Sequence, residues 1–156
     1  MNDPISAPQP LRAALASADA SPLALLALGI PLCPSCELLT TSLHEIGRAR
    51  PDLEVHIAAL SSPQEWADRE KLLWPRGIHV SRASVPVLVL LRHAHVLAIR
   101  QGGGPASLID AWLSEVLGAP TVPVAPGMTD EEGARLDAIA DLRRRRLSTR
   151  YRLAVN

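Results

Sequence analysis

The chain has 156 residues, 47% of them hydrophobic, which suits one domain with extensions and supplies ample apolar surface for a core. Its 16 basic and 16 acidic residues leave a formal net charge of zero, which argues against a global electrostatic attraction to nucleic acid or to an anionic membrane. Phenylalanine is absent and tyrosine occurs once, so Leu, Val, Ile and Ala must build the core, with Trp66, Trp74 and Trp112 as its few large fillers.

Met1 to Pro10 has no basic region leading into an apolar stretch, and the run from Leu23 to Leu28 is too short to span a bilayer. The expectation is a cytoplasmic protein without a membrane segment. Pro10 to Ala18 suits a short first helix, which Ser21-Pro22 breaks. Leu23 to Gly29 then reads as a buried strand, although an apolar run of this length fits a helix segment as well. Gly29 to Leu32 forms a loop. From Pro34, which suits the first helical position, a helix runs to about Arg48 with Leu39, Leu43 and Ile46 on one face.

Pro51-Asp52 ends that helix, and Leu53 to Leu60 forms a second strand in which Val55 and Ile57 alternate with His56. Ser62-Pro63-Gln64-Glu65 combines a capping box with proline at N1, so a helix starts there, carrying Trp66 and Leu73 and stopping near Trp74. After Ser84-Val85-Pro86, Val87 to Leu91 is continuously apolar and reads as a central strand, with Val96 to Ile99 as its hairpin partner. Gly102 to Gly104 break the sheet. Pro105 opens a helix with Leu108, Trp112, Leu113 and Val116 at helical spacing, and Gly118 ends it.

Residues 119–128 form a proline-rich linker, and Thr129-Asp130-Glu131-Glu132 opens a charged helix toward Arg146. The expected organisation is therefore a domain over 1–118, the linker, and a helical tail over 129–156. Strands alternating with helices and closing on a hairpin imply an α/β fold, a mixed sheet covered by helices on both faces.

Chemistry concentrates at Cys33-Pro34-Ser35-Cys36, which holds the only two cysteines of the chain. Thiols three residues apart across the first turn of a helix have Cα atoms about 5 Å apart, within the window a disulfide tolerates. A cysteine at a helix N-terminus faces orphan N–H groups and the positive end of the dipole, so its thiolate is favoured by roughly 0.3–2 kcal/mol. That moves a thiol from about 8.5 toward about 7. Cys33 is the expected attacking thiolate and Cys36, further inside the turn, the resolving one. In a reducing compartment two cysteines are more often catalytic or metal-binding than structural. Two thiols alone make an incomplete zinc site, so no metal is expected.

From about Pro10 to Leu117 the sequence resembles the thioredoxin superfamily. The dithiol after a strand carries part of the likeness, and Val85-Pro86, fifty residues beyond Cys36 and directly ahead of a strand hairpin, carries the rest. The resemblance implies a thioredoxin-like fold with Pro86 cis beside the dithiol and Val85 as the residue whose backbone pairs with a substrate chain. Leu32, Pro34, Val85 and Pro86 would bind substrate, and Cys33 and Cys36 would catalyse dithiol–disulfide exchange on protein disulfides. No cofactor is implied beyond the redox-active disulfide. An external reductant is required, from an electron-donating reductase or glutathione.

Three features depart from the thioredoxin pattern. Leu32 precedes the motif and proline comes first inside it, an order more like glutaredoxin, as is Ser84-Val85-Pro86. Ala27 stands where thioredoxins carry a buried aspartate that moves the resolving thiol's proton, and the hairpin turn is His93-Ala94 rather than Asn-Gly. Gly103-Gly104 would mimic the glycine pair of glutaredoxins, but the loop before the motif lacks their basic residue. A thioredoxin-like reductase is favoured over a glutathione-linked one. A redox-idle adaptor or assembly chaperone is the further alternative.

Other signals are weaker. His93 and His95 read as a solvated hairpin tip rather than a metal pair, and His44 is a poor candidate base. The Arg143 to Arg146 run sits opposite Asp130, Glu131 and Glu132 on the tail helix, and residues 129–156 carry seven arginines against five acids. That excess is small for phosphate binding. The tail is expected to pack back on the domain or to mediate self-association through Leu136, Ile139 and Leu142.

Overall fold

A computed structural model describes residue 5 and residues 7–118; the linker over 119–128 and the helical tail over 129–156 lie outside the described residues. Helix α1 (Leu11–Ala20), strand β1 (Leu23–Gly29), helix α2 (Pro34–Ala49), strand β2 (Glu54–Ala59) and helix α3 (Pro63–Leu72) alternate, and a single turn of 3₁₀-helix (Trp74–Arg76) closes this half. Strands β3 (Val87–Arg92) and β4 (His95–Gln101) and helix α4 (Ala106–Leu117) complete the described fold. The strands form one mixed sheet in the order β2-β1-β3-β4, with β1 parallel to β2 and antiparallel to β3.

Burial follows from this order. β1 is an inner strand, so all seven residues of Leu23–Gly29 are buried and no polar face is needed. Alternate residues of β1 feed two apolar layers. Leu26 and Leu28 join Leu11, Leu15 and Leu73 on the α1/α3 side, whereas Leu25 and Ala27 join Leu39, Leu43, Ile109 and Leu113 on the α2/α4 side. The outer edge of β2 is touched by the N-terminal segment through isolated parallel bridges from Ile5 to Val55 and from Gln9 to Ala58. The sequence pattern gives no sign of that pairing.

The tryptophans do not fill the core as expected. Trp74 is 45% exposed, Trp66 and Trp112 are only partly buried, and the largest fully buried side chains are leucines and isoleucines. Thin apolar layers between a sheet and single helices are filled by branched aliphatics. The indoles remain at the margins of these layers.

Polar contacts tie the helices on each face. Ser62 Oγ accepts the Glu65 N–H at 3.2 Å, as the capping box requires, but the Glu65 carboxylate also accepts the first N–H of α1, from Leu11, at 3.1 Å. Burial raises the Glu65 pKa, but the hydrogen bonds from Leu11, Ser61 and Ser62 outweigh it and leave the carboxyl below its ordinary value. Asp68 accepts a fork from Arg12, Nε at 2.9 Å and Nη2 at 3.0 Å, and this bond and one from Gln64 hold its pKa down. On the other face Arg50, buried at the C-cap of α2, donates to Asp110 at 3.0 Å, to Ser114 Oγ at 2.8 Å and to the Gly118 carbonyl at 2.9 Å. A buried guanidinium satisfied on several sides locks α2 to α4, and removing one partner of such a pair costs about 3–5 kcal/mol.

The β3–β4 hairpin turns on His93 and Ala94, with φ of 48° and 67°. Both central residues have the positive φ that a primed two-residue turn demands, although neither is glycine or asparagine. Twist matching between the strands overrides local preference here. A left-handed residue with a Cβ costs about 1–2 kcal/mol. Ala94→Gly is expected to stabilise the protein by about 1 kcal/mol in urea unfolding, with an unchanged m-value. Asp68 has a depressed folded-state pKa, so its contribution is fully present above the ordinary carboxylate range and is lost as pH falls through the folded value. The stability difference between wild type and Asp68→Asn, measured by urea unfolding, is therefore expected to be largest near neutral pH and to shrink below about pH 4.

Candidate functional site

Three segments converge at the C-terminal end of β1. The first is the loop from Gly29 into α2, anchored where the Leu60 N–H donates to the Gly29 carbonyl at 2.9 Å. Cys33 is the N-cap of α2 with Pro34 in the first turn, as the position of proline predicts. The two cysteines are joined in a disulfide with a Cα–Cα distance of 5.2 Å. Cys33 Sγ accepts the Cys36 N–H at 3.2 Å, and the Cys33 carbonyl accepts from Cys36 and Glu37 at 3.0 and 3.1 Å. A sulfur in the N-cap position thus takes one of the helix's orphan donors, the arrangement that favours negative charge on Cys33 when the bond opens.

The second segment is Val85–Pro86, whose peptide bond is cis. Val85 is half-buried against the α1/α3 layer, and Pro86 is buried. The third is the glycine run after β4, fastened by the Gly102 N–H to the Pro86 carbonyl at 2.8 Å and by Ser42 Oγ to the Gly104 carbonyl at 2.8 Å. Gly103 brings all three together. A Cβ on it would lie 3.5 Å from Pro86 Cγ, 3.6 Å from the Ser35 carbonyl and 3.6 Å from Leu39 Cβ. The proline ring and the dithiol turn are therefore near neighbours.

Cys33 is 5% exposed as a residue, whereas Cys36 is half-buried. Cys36 Sγ nonetheless faces inward, because a Cβ on Gly29 would stand only 3.0 Å from it. Leu32 is the exposed apolar residue of the site, at 93%, and it holds a left-handed φ of 56°. A β-carbon residue kept in that region and denied burial is a local strain that the surrounding fold must impose. With Pro31 and Pro34 exposed and Leu38 exposed one turn beyond Pro34, it forms an apolar rim around the disulfide.

Beneath the dithiol the surroundings are apolar. Ala27 is buried, pairs with Leu88 in the sheet and sits in the same layer as Leu39. Glu37 is exposed on the first turn of α2. His93 and His95 are at the hairpin tip and exposed, and among the described residues no group of three or more His, Cys, Asp or Glu converges to hold a metal. No described helix is long and apolar enough to cross a membrane. Sequence reasoning missed Gly29 as a packing requirement and Ser42 as the tie to the glycine run. Neither carries a local signal: Ser42 acts across 62 residues, and Gly29 acts through a Cys36 sulfur whose approach is set by how the intervening loop folds.

No protein-family model and no curated protein matches the chain, but solved structures do. Oxidised thioredoxin O2 from Arabidopsis thaliana superposes with a TM-score of 0.56 at 16% identity, over 74% of this chain and 96% of that one. Reduced desulfothioredoxin from Desulfovibrio vulgaris Hildenborough gives a TM-score of 0.52 at 20% identity, over 65% and 88%. Oxidised thioredoxin from Plasmodium falciparum gives 0.51 at 14% identity, over 72% and 96%. The fold is that of the thioredoxins. At these identities the likeness is one of architecture, and the thioredoxin-like frame sets a cysteine pair at the end of a central strand.

The closeness of Gly29 to Cys36 yields a direct expectation. Gly29→Ala forces a methyl group against Cys36 Sγ and is expected to lower stability by about 1–3 kcal/mol, the usual cost of overpacking. Chemical denaturation of the oxidised protein measures it, and an unchanged midpoint would show that the first turn of α2 yields freely.

Proposed function

We propose that the protein is a thiol–disulfide oxidoreductase that reduces protein disulfides through Cys33 and Cys36. The observation that supports this best is the dithiol at the N-terminus of α2, with Cys33 Sγ accepting the Cys36 N–H, beside a cis Val85–Pro86 peptide and an exposed apolar rim. The thioredoxin fold is in keeping with the reading. A cytoplasmic setting favours the reducing direction, with protein disulfides as substrates and a reductase or glutathione as the external electron donor.

In this mechanism the Cys33 thiolate attacks one sulfur of the partner's disulfide, and the other sulfur leaves as a thiolate that takes up a proton. The Cys36 thiolate then attacks Cys33 Sγ in the mixed disulfide, expelling the second partner sulfur and leaving the Cys33–Cys36 disulfide. Two electrons pass to the partner, and the external donor restores the dithiol. Leu32, Pro34, Val85 and Pro86 make the platform, where the extended guest chain pairs with the backbone of Val85 as in β-strand addition. Ala27 supplies no acid for Cys36, so its proton leaves to water, to Glu37 or to another base, and resolution is expected to be slow. The two residues between the cysteines tune the potential over about 150 mV in such motifs.

The missing acid also favours a second reading, in which the same platform binds a partner protein and the dithiol is idle. Insulin reduction with dithiothreitol as donor separates the two. Wild type is expected to reduce insulin and Cys33→Ser to lose the activity. Cys36→Ser is expected to accumulate mixed disulfides through Cys33 that dithiothreitol releases. Absence of both turnover and captured partners leaves the binding reading in place.

A further inference from the structure

Trp66 on α3 gathers two cations. The Arg69 guanidinium carbon lies 4.9 Å from its ring centroid and that of Arg82 lies 4.8 Å away. Each contact is attractive for the ring, worth about 0.5–1 kcal/mol where exposed, but two like charges on one indole repel each other unless something neutralises them. Among the described residues neither arginine forms an ion pair with a carboxylate. The acids of α3 do not serve: Glu65 and Asp68 are turned to Leu11 and Arg12, and Glu70, exposed, pairs with neither arginine.

The cluster is also rich in donors and short of acceptors. Arg69 Nη1 donates to the Val80 carbonyl at 2.7 Å, yet Arg69 Nε and Trp66 Nε1 are buried with no hydrogen-bond partner. Two guanidiniums on one ring without a carboxylate beside them leave a locally positive site that negative charge from outside the described residues would complement.

Its place in the fold says where that charge would come from. Arg82 is exposed in a turn closed by the Ser84 N–H on the Ser81 carbonyl at 3.1 Å and by the Ser81 N–H on Ser84 Oγ at 2.8 Å. This turn runs straight into Val85–Pro86, and Val85 and Trp66 pack on the same apolar layer. The stack therefore holds a cation three residues from the platform's cis peptide. Resting on the ring also removes part of the rotamer freedom that an arginine loses on binding.

We propose that Arg82, steadied on Trp66, is a specificity-determining residue that selects guest polypeptides carrying Asp or Glu beside the disulfide cysteine. The inference rests on the dithiol-exchange reading and names its substrate class. A guanidinium fork takes a carboxylate through two parallel hydrogen bonds, and Arg69 adds positive potential behind it. A cation at the rim of a binding surface acts chiefly on the association rate and is screened by salt.

The test uses the full chain and three disulfide-bridged peptides that differ only in the residues flanking the cysteines, glutamate, glutamine or lysine. The expected order of kcat/KM is glutamate, glutamine, lysine, with about tenfold between the extremes at low salt. The order should collapse at about 0.5 M salt. In Arg82→Gln the glutamate-to-glutamine ratio is expected to fall to one, and Arg82→Lys should restore part of it. An equal rate for all three peptides in wild type, or an unchanged ratio in Arg82→Gln, overturns the proposal. If no peptide is reduced, the exchange reading fails by itself. Binding of the same peptides to the Cys33→Ser/Cys36→Ser chain, followed by tryptophan fluorescence, then decides: a glutamate preference lost in Arg82→Gln upholds the charge selection, and indifference to charge ends it.

Discussion

The site depends on how closely the first turn of α2 approaches the end of β1. Gly29 is the last residue of an inner strand, and the sulfur of Cys36 lies only 3.0 Å from where a Cβ on it would stand. That contact sets the depth of the dithiol in the fold. With α2 so placed, Cys33 reaches the N-cap position and its sulfur accepts a main-chain donor, and Gly103 fits between the Ser35 carbonyl and Pro86. A bulkier residue at the strand end would displace the helix and, with it, the relation of the sulfurs to the cis peptide.

Around this contact Arg50, Glu65 and Asp68 hold helices to one another. Arg50 joins the two ends of the α2/α4 pair, and Glu65 and Asp68 join α3 to α1. Both networks are satisfied by fixed hydrogen bonds, which is the condition under which buried charge stabilises a unique arrangement. Ala27 itself packs among aliphatic side chains and supplies no acid there.

Two places break local backbone rules, and their causes differ. His93 and Ala94 adopt left-handed conformations because a two-residue link between twisted antiparallel strands leaves no other choice. Leu32 adopts one in a loop of ordinary length, while presenting its whole side chain to solvent. Nothing in strand pairing demands that. The left-handed backbone holds the exposed Leu32 side chain at the lip of the disulfide, at a local cost that the surrounding fold must cover.

The elements were legible because their signals are local. Apolar runs marked β1 and β3, prolines at N1 marked the starts of α2 and α3, and Ser62 caps α3 as its spacing predicts. The cysteine spacing likewise sufficed to place two sulfurs within bonding reach. The sequence could not reveal which tryptophans stay at the surface, because that depends on the thickness of layers formed by other segments. It also gave no view of Gly29 against Cys36, Ser42 on Gly104, or the two arginines on Trp66, whose partners lie between 3 and 62 residues away. The chain alone thus determined its elements and the pair of thiols, since helix capping, strand burial and a three-residue spacing are properties of neighbours. Only the tertiary structure decided how deep the sulfurs sit, what they touch and which charges gather on Trp66, because distance through space is set by packing between layers and not by position along the chain.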